Sequence, residues 1–480
     1  MTLNDFDIWY RSRYRRTSSF LTSTAFVIAD LFAVMLSFGG GFFWVNLYDM
    51  SAINFKSFVT YWPYLPAFIL VFQVMGAYPG VALAPSEGLR RFTIASIMTH
   101  GGIIFSRFVE DKEFDAISVA FIISCCFSIV ILLICRAGMQ RILRKTRLGG
   151  IPAVIYGGGE TGRTLVNHLL REKNTGYIPV LILDDDPATG DEYQGIPILH
   201  DTETGPEIVS RFNIKMAIIA MPGVEQKVLT RILSHSVSAF RYNVLIPDFF
   251  EVTNIWMSVR DFNGILGLAT SHKLQMFWNL WIKRALDIVV VIFGGIVVLP
   301  FLLLIALIVK LDSPGPALFG HTRLGKNGRP FKAYKFRSMT IDAEARLKAL
   351  LESDPEIRRE WELNQKIKND PRITGVGSFL RRTSLDEFPQ IINVLRGEMS
   401  LVGPRPIVDA EVAKYGENYD RIFSVLPGVS GLWQVSGRSD SDYAERIAYD
   451  TYYLQSWSLW LDLWILLKTV EVVFKGKGAY

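Results

Sequence analysis

Cysteine is nearly absent: the 480 residues hold 3. Cys125, Cys126 and Cys135 all fall in one apolar stretch, so neither a disulfide framework nor a metal-ligand spacing follows from them. A strong excess of one charge is missing too. The formal net charge of +5 is mild, and the basic residues cluster beside apolar segments. That points to anionic lipid and phosphate substrates rather than nucleic acid. The first apolar run is long and lacks a small-residue cleavage site, so it reads as an anchor and not a cleavable leader. Apolar residues, by contrast, are plentiful. They make up 50% of the chain, 13% is aromatic and mean hydropathy is +0.25, which implies membrane segments. The length exceeds one ordinary core, so two or three domains are expected.

Arg11, Arg13, Arg15 and Arg16 precede a first apolar span, Phe20 to Trp44. Further spans run over Tyr61 to Tyr78, Arg91 to Phe108 and Ala116 to Cys135, each near the ~20 residues that cross hydrocarbon. If all four span, the basic N-terminus, Arg90 with Arg91, and the cluster from Arg136 to Arg147 share one side, which the positive-inside rule makes the cytoplasm. His100, inside the third span, reads as a packed residue rather than a ligand.

From Ile151 the pattern changes to soluble α/β. A strand from Pro152 to Tyr156 leads into Gly157-Gly158-Gly159-Glu160-Thr161-Gly162, which fits G-x-G-x-x-G and opens a helix. A second strand, Val180 to Leu183, ends in Asp184-Asp185-Asp186, where a ribose-binding acid would lie. Gly157, Gly159 and Gly162 thus outline a candidate nucleotide site in a Rossmann-like unit. No substrate domain or catalytic base accompanies it, which favours regulatory or structural use over redox catalysis.

Phe249 to Met276 reads as a loop-rich connector. Beyond it, Ala285 to Val309 is apolar except for Asp287 at its start. Its length suits a crossing helix, but three observations oppose a full crossing. Lys283 with Arg284 at one end and Lys310 at the other cast no vote on orientation. Pro300 near the middle removes a helix hydrogen bond. A crossing would also carry the remaining chain to the far side. A helix-break-helix that enters and leaves by one face satisfies all three. Ile341 to Lys368 is densely charged at helical spacing and reads as a solvated face. Tyr449 to Phe474, with Trp457, Trp460 and Trp464 among leucines, is expected to lie in the membrane interface.

Leu380 to Gln390 reads Leu-Arg-Arg-Thr-Ser-Leu-Asp-Glu-Phe-Pro-Gln. Ser384 and Glu387 have the spacing of a capping box, and Pro389 suits a first helical turn. Asp386 and Glu387 are therefore expected at or near a helix N-terminus, where the dipole favours negative charge. One carboxylate of such a pair can attack phosphorus and the other hold a divalent cation, with Arg381 and Arg382 neutralising phosphate oxygens. A plain helix cap is the bland alternative.

Around this stretch stand, in order, Pro314-Gly315-Pro316, Thr322-Arg323-Leu324-Gly325, Asn327-Gly328-Arg329-Pro330-Phe331, Lys335-Phe336-Arg337-Ser338, Gly403-Pro404-Arg405-Pro406 and a block from Pro427 to Arg438. In this order the blocks resemble those of the polyprenyl-phosphate hexose-1-phosphate transferases, also called monotopic phosphoglycosyl transferases, over about 280 to 480. With the segments ahead of them, the chain is similar to the large form of that family. The resemblance implies membrane α plus α/β architecture. A four-helix transmembrane domain would cover 1–148, a Rossmann-like cytoplasmic domain 149–248, a connector 249–280 and a catalytic domain 281–480. The last would carry a re-entrant helix, 285–309, broken at Pro300, and interfacial amphipathic helices.

It further implies that Asp386 is a nucleophile that takes hexose 1-phosphate from a UDP-hexose, releases UMP and passes the sugar phosphate to undecaprenyl phosphate. Mg²⁺ would sit at Asp386 and Glu387. Phosphate or nucleotide contacts would come from Arg381, Arg382, Lys335, Arg337, Arg405, Arg323 and Arg438. Galactose is the hexose the likeness leans to, the bacterial inner membrane the location, and a homodimer is left open. Two other readings stand beside this one. The glycine turn suggests an NAD(P)-dependent sugar-nucleotide modifying enzyme, against which the missing Tyr-x-x-x-Lys counts. A non-catalytic scaffold of a polysaccharide export machine would need the acidic pair only as a cap.

Overall fold

The computed structural model describes residues 2–14, 19–48, 59–78, 84–111, 114–146, 149–171, 176–246, 257–261, 266–270, 273–353, 356–359, 367, 370–436 and 443–475. They form two compact units, Met1–Glu251 and Val252–Tyr480.

In the first unit, α1 (Leu3–Tyr14) precedes four apolar helices, α2 (Ser19–Tyr48), α3 (Leu65–Val74), α4 (Pro85–Asp111) and α5 (Ala116–Thr146). Of these, α2, α4 and α5 are long and apolar enough to cross a membrane. The second expected span differs. Among the described residues it is a 3₁₀ turn, Trp62–Tyr64, running into the 10 residues of α3. That helix covers about 15 Å at 1.5 Å per residue, half a hydrocarbon core. Gly76, at φ +66°, stops it, and the carbonyls of Gly76 and Ala77 are taken by Arg91 and Arg136. Among the described residues the bundle therefore holds three long helices and a short one.

Phenylalanines fill its interior, with Phe38 and Phe121 meeting edge-on at 5.1 Å between centroids. A Cβ at Gly41 would collide with the backbone at Ala120, so glycine lets α2 and α5 approach closely. His100 is packed among Phe38, Phe68 and Phe121, as expected. Asp30 is buried and accepts two Arg136 N–H bonds, at 2.7 and 2.5 Å, and the Tyr78 hydroxyl at 2.8 Å. Unpartnered polar groups there would cost several kcal/mol each, roughly, so the full set of hydrogen bonds is what makes their burial tolerable.

The α/β part follows expectation closely. β1 (Ile151–Tyr156), α6 (Glu160–Arg171), β2 (Tyr177–Leu183), β3 (Glu192–Tyr193), β4 (Ile196–Leu199), α7 (Gly205–Phe212), β5 (Met216–Ile219), α8 (Gln226–His235) and β6 (Tyr242–Leu245) alternate along the chain. The sheet order is β3-β4-β2-β1-β5-β6, parallel except where β3 pairs with β4. The inner strands are continuous apolar runs because both faces are covered. The expected boundary at 148 fails in one respect: Phe6 and Tyr10 of α1 belong to the core of this sheet.

The second unit opens with an antiparallel hairpin, β7 (Met257–Asp261) and β8 (Leu266–Thr270), inside the expected connector. Next comes α9 (Phe277–Asp312), 36 residues long and continuous across Pro300. The expected break is not seen as a divided helix; the proline removes one donor within it. Beyond it stand β9 (Leu318–Leu324), β10 (Pro330–Phe336), α10 (Ala343–Ser353), α11 (Gly375–Thr383), a 3₁₀ turn (Leu385–Gln390), α12 (Ile391–Arg396) and β11 (Ser400–Val402). The unit closes with α13 (Val412–Tyr415), α14 (Tyr419–Ile422), β12 (Gly428–Ser430), α15 (Leu432–Ser436), α16 (Tyr443–Ser456) and α17 (Leu459–Lys475).

The aromatic tail is a correction. Trp457, Leu461 and Ile465 enter the core of this unit, and Asp462, a charge among these apolar residues, is 1% exposed. Its carboxylate accepts from Lys283 Nζ at 2.6 Å, the Tyr453 hydroxyl at 2.7 Å and Trp457 Nε1 at 3.1 Å. Asp287, one turn beyond Lys283, accepts from Leu401 N at 3.1 Å. The foot of α9 is thus tied to α17 and β11 through buried charge. Phe277, Trp278 and Trp281 stay exposed just before it, as in an interfacial aromatic belt.

Lys283→Met leaves Asp462 and Asp287 buried without their cation, a loss on the order of 3–5 kcal/mol. The thermal midpoint in detergent is expected to drop, and Lys283→Met with Asp462→Leu to recover at least half of it.

Candidate active site

β9 and β10 form an antiparallel hairpin in which Lys335 pairs with Phe319 and Phe331 with Arg323. Alternation along β10 sends Lys335 toward the 3₁₀ turn that carries the acidic pair. One buried amide sets the register. Asn393 is fully buried; its Oδ1 accepts from Tyr334 N at 3.0 Å and its Nδ2 donates to Lys332 O at 2.7 Å. α12 is thereby locked to β10 one residue from Lys335. A lone asparagine inside the apolar run Ile391 to Leu395 was the only sign of this in the sequence.

The turn itself departs from the expected capping box. Ser384 is left-handed, at φ +56°, and its side chain makes no cap bond. A capping serine needs extended backbone to aim its oxygen at the following N–H groups, so Ser384 ends α11 instead. Glu387 is left free to accept from Lys335 Nζ at 2.6 Å. The same ammonium lies 3.7 Å from Asp386 Oδ2, and Arg405 Nη2 lies 4.0 Å from Glu387 Oε1. Arg323, Lys335, Glu387, Gln390, Arg405 and Gln434 line one cleft.

The two carboxyls are set apart by their surroundings. Burial pushes Asp386 above the usual carboxylate range, and Glu387 adds to this against Lys335 and Arg381. Glu387 is also pushed up by burial, but Lys335, Arg405 and Arg323 outweigh it and hold its carboxyl below the usual range. A desolvated anion next to a firmly charged one, facing three cations, suits attack on an anionic phosphorus centre.

The expected basic residues divide into groups. Arg323, Lys335 and Arg405 reach the cleft. Arg381 bonds Ser338 Oγ through Nε at 2.9 Å and acts on Asp386 through its charge. Arg382 is exposed. Arg337 is a correction: it is buried and donates to Pro314 O at 2.9 Å and Ser313 O at 2.6 Å. It caps the C-terminal end of α9, where a cation complements the helix dipole, and is not available to phosphate. Arg438 lies outside the described residues. Gln390, Asn393 and Gln434 were missed, since uncharged amides carry no pattern signal.

The glycine turn of the first unit is a separate cleft of about 420 Å³, lined by Gly158, Gly159, Arg163, Asp186 and Tyr193 among others. Gly157, at φ +105°, and Gly162, whose Cβ would strike the Gly157 carbonyl, are required by the turn itself. Gly159 meets no such obstacle. The acids after β2 are engaged by the protein: Asp184 accepts from Gly158 N and Asp186 N, and Asp185 from the Thr202 backbone and hydroxyl. Asp186 accepts from Ala188 N. Asp184 and Asp185 are thus engaged by the loops around the turn, while Asp186 lines the cleft and keeps acceptor capacity on its second oxygen.

Residues 278–476 match the family described as bacterial sugar transferase, and residues 73–238 match a CoA-binding domain family. The chain is 38% identical over 357 residues to undecaprenyl-phosphate galactose phosphotransferase of Salmonella typhimurium, covering 74% of each chain. It is 31% identical over 432 residues to UDP-glucose:undecaprenyl-phosphate glucose-1-phosphate transferase of Escherichia coli, covering 86% of this chain and 88% of that one. Exopolysaccharide production protein ExoY of Sinorhizobium fredii is 44% identical over 198 residues, 41% of this chain and 88% of its own. Among solved structures, UDP-D-quinovosamine 4-dehydrogenase from Vibrio fischeri is similar at 23% identity, over 25% of this chain and 94% of that one, with a TM-score of 0.20. That score is too low to carry an argument.

The two carboxyls have opposite linkage to stability. The contribution of Asp386, whose folded value is raised, is present below its unfolded value and lost as pH climbs through the folded one. That of Glu387, whose folded value is lowered, is present above its unfolded value and lost as pH falls through the folded one. Relative to the parent, Asp386→Asn is expected to gain thermal midpoint from about pH 4 to pH 8, and Glu387→Gln to lose it.

Proposed function

The chain belongs to the bacterial sugar transferase family, and from that premise we propose that it transfers hexose 1-phosphate from a UDP-sugar to undecaprenyl phosphate. The named activities of two relatives that cover most of this chain carry the reading. The observation in this protein that supports it is the buried Asp386 beside Glu387 under Lys335.

A carboxylate oxygen of Asp386 attacks the sugar-bearing phosphorus. The bond from that phosphorus to the bridging oxygen breaks, and the electron pair leaves with UMP. The aspartyl phospho-sugar then meets undecaprenyl phosphate. An oxygen of the lipid phosphate attacks the same phosphorus, and the Asp386 carboxylate departs unchanged. Lys335, Arg405 and Arg323 hold phosphate oxygens and offset the charge that gathers there. Asp386 and Glu387 fit a magnesium ion, which favours one or two carboxylates completed by substrate phosphate and water. Such an ion would neutralise phosphate charge. No cluster of three His, Cys, Asp or Glu side chains exists among the described residues, in keeping with a site that substrate completes. Galactose is the proposed hexose, and the product starts an O-antigen, capsule or exopolysaccharide.

A re-entrant course for α9 is part of the proposal. Arg284 at its start donates to Val394 O and Leu395 O of α12, at 2.6 and 3.1 Å. Ser313 at its end accepts from Arg337, which follows β10. Asn393 bonds α12 to β10. Both ends of α9 are therefore gripped by the elements that hold the dyad, while Phe293, Ile296, Val297 and Phe301 between them stay bare. A helix bent at Pro300, with both ends on one membrane face, has this pattern; one that crosses has its ends about 30 Å apart in depth. The site then faces the cytoplasm, at the inner membrane of a bacterium, where UDP-sugars and the lipid phosphate meet.

Purified enzyme with UDP-galactose and Mg²⁺ but no lipid is expected to release one equivalent of UMP and then stop. Undecaprenyl phosphate should restore turnover, and Asp386→Asn should abolish both phases. Undiminished turnover by that variant would exclude Asp386 as the nucleophile. Single cysteines placed at Phe277 and Asp312 of a cysteine-free variant should react with an impermeant reagent from the same side of the membrane. Reaction from opposite sides would replace the re-entrant course by a crossing.

A further inference from the structure

Beside the cleft lies a second, partly buried set of charges, centred on a carboxylate that the reaction as derived does not use. Glu411 is its centre. Oε1 accepts from the Tyr443 hydroxyl at 2.6 Å and Oε2 from Val408 N at 3.0 Å. Arg323 Nη1 lies 3.8 Å from Oε2 and Arg446 Nη1 3.9 Å from Oε1. The pair with Arg323 is fixed by backbone, because Leu324 N donates to Ile407 O at 2.8 Å and brings the end of β9 alongside the segment leading to Glu411.

Arg446 is 7% exposed, and its Nε and Nη2 have no hydrogen-bond partner among the described residues. It is ringed by Trp433, Tyr415 and Tyr443, at 4.9, 5.4 and 5.5 Å from its guanidinium carbon. The face of Trp433 is shared with Arg405, 5.9 Å away. The two cleft arginines are thus both backed by this set, Arg323 by Glu411 directly and Arg405 by way of Trp433 and Arg446.

Electrostatics give Glu411 its role. Arg323 feels Glu387 of the dyad on one side and Glu411 on the other, with Arg405 and Arg446 repelling it. Without the Glu411 carboxylate, the nearest compensation for Arg323 is the dyad. An arginine paired there neutralises the carboxylates and is lost to substrate phosphate. We propose that Glu411, oriented by Tyr443, is a positioning residue that holds Arg323 off the acidic pair and aimed at the diphosphate of the sugar nucleotide. The inference rests on the proposed transferase reading.

Glu411→Gln keeps an oxygen for Val408 N, lets its amide N–H donate to the Tyr443 hydroxyl, and removes the charge. It is expected to raise KM for the UDP-sugar about tenfold with kcat changed less than about threefold. Combined with Arg323→Ala, its effect should vanish, as coupled residues demand. Tyr443→Phe, which only frees Glu411, should act in the same direction more weakly, and it carries the test if Glu411→Gln does not fold. An unchanged KM in Tyr443→Phe, or additive effects in the double variant, would overturn the positioning role. Failure of the parent enzyme to release UMP from any UDP-sugar would instead remove the transferase reading.

Discussion

One ammonium group between two adjacent carboxylates organises the second unit. Lys335 stands 2.6 Å from Glu387 and 3.7 Å from Asp386. It is close enough to keep Glu387 charged, yet too far to neutralise Asp386 fully. A carboxylate that stays partly desolvated, with a raised proton affinity, is more reactive toward phosphorus than one buried in a tight ion pair. The arrangement works only if strand and turn keep their register. A shift of one residue along β10 would send Lys335 to the opposite face of the hairpin. Asn393 prevents that shift, and its three hydrogen bonds use most of what an amide can make.

The same economy appears where apolar surface is most abundant. Each apolar helix system carries a compact buried polar set: Asp30, Arg136 and Tyr78 in the bundle, and Lys283, Asp462 and Tyr453 at the foot of α9. Between hydrocarbon-like surfaces dispersion is nearly indifferent to rotation and sliding, so polar contacts select one arrangement. The helix-end caps work alike. Arg284 on α12 and Arg337 on α9 satisfy carbonyls that the helix cannot satisfy itself.

Much of this was legible in the chain. The glycine turn after an apolar strand announced the α/β sheet, because parallel strands buried on both faces must be uniformly apolar. The acidic pair and the basic blocks around it pointed to the cleft that Arg323, Lys335, Glu387 and Arg405 line, because charges of both signs stand so densely there. What misled was charge whose partner is distant in sequence. Arg337 looks like any phosphate-binding arginine until Ser313 and Pro314 are brought beneath it. Asp462 looks solvated until Lys283, far back in the chain, is folded onto it. Ser384 has the letters of a helix cap but not the backbone angle.

By itself, then, the sequence determined the kinds of element, the apolar content that demands a membrane, and the chemical class of the site. These depend on local composition and spacing, which a chain carries whatever its fold. Only the tertiary structure decided which arginines face the cleft, which cap helices, and which of two neighbouring carboxyls is held charged. Those outcomes depend on burial and on distances of a few ångströms between residues far apart in sequence. Electrostatic energy in a desolvated interior varies so steeply with both that no linear pattern can encode it.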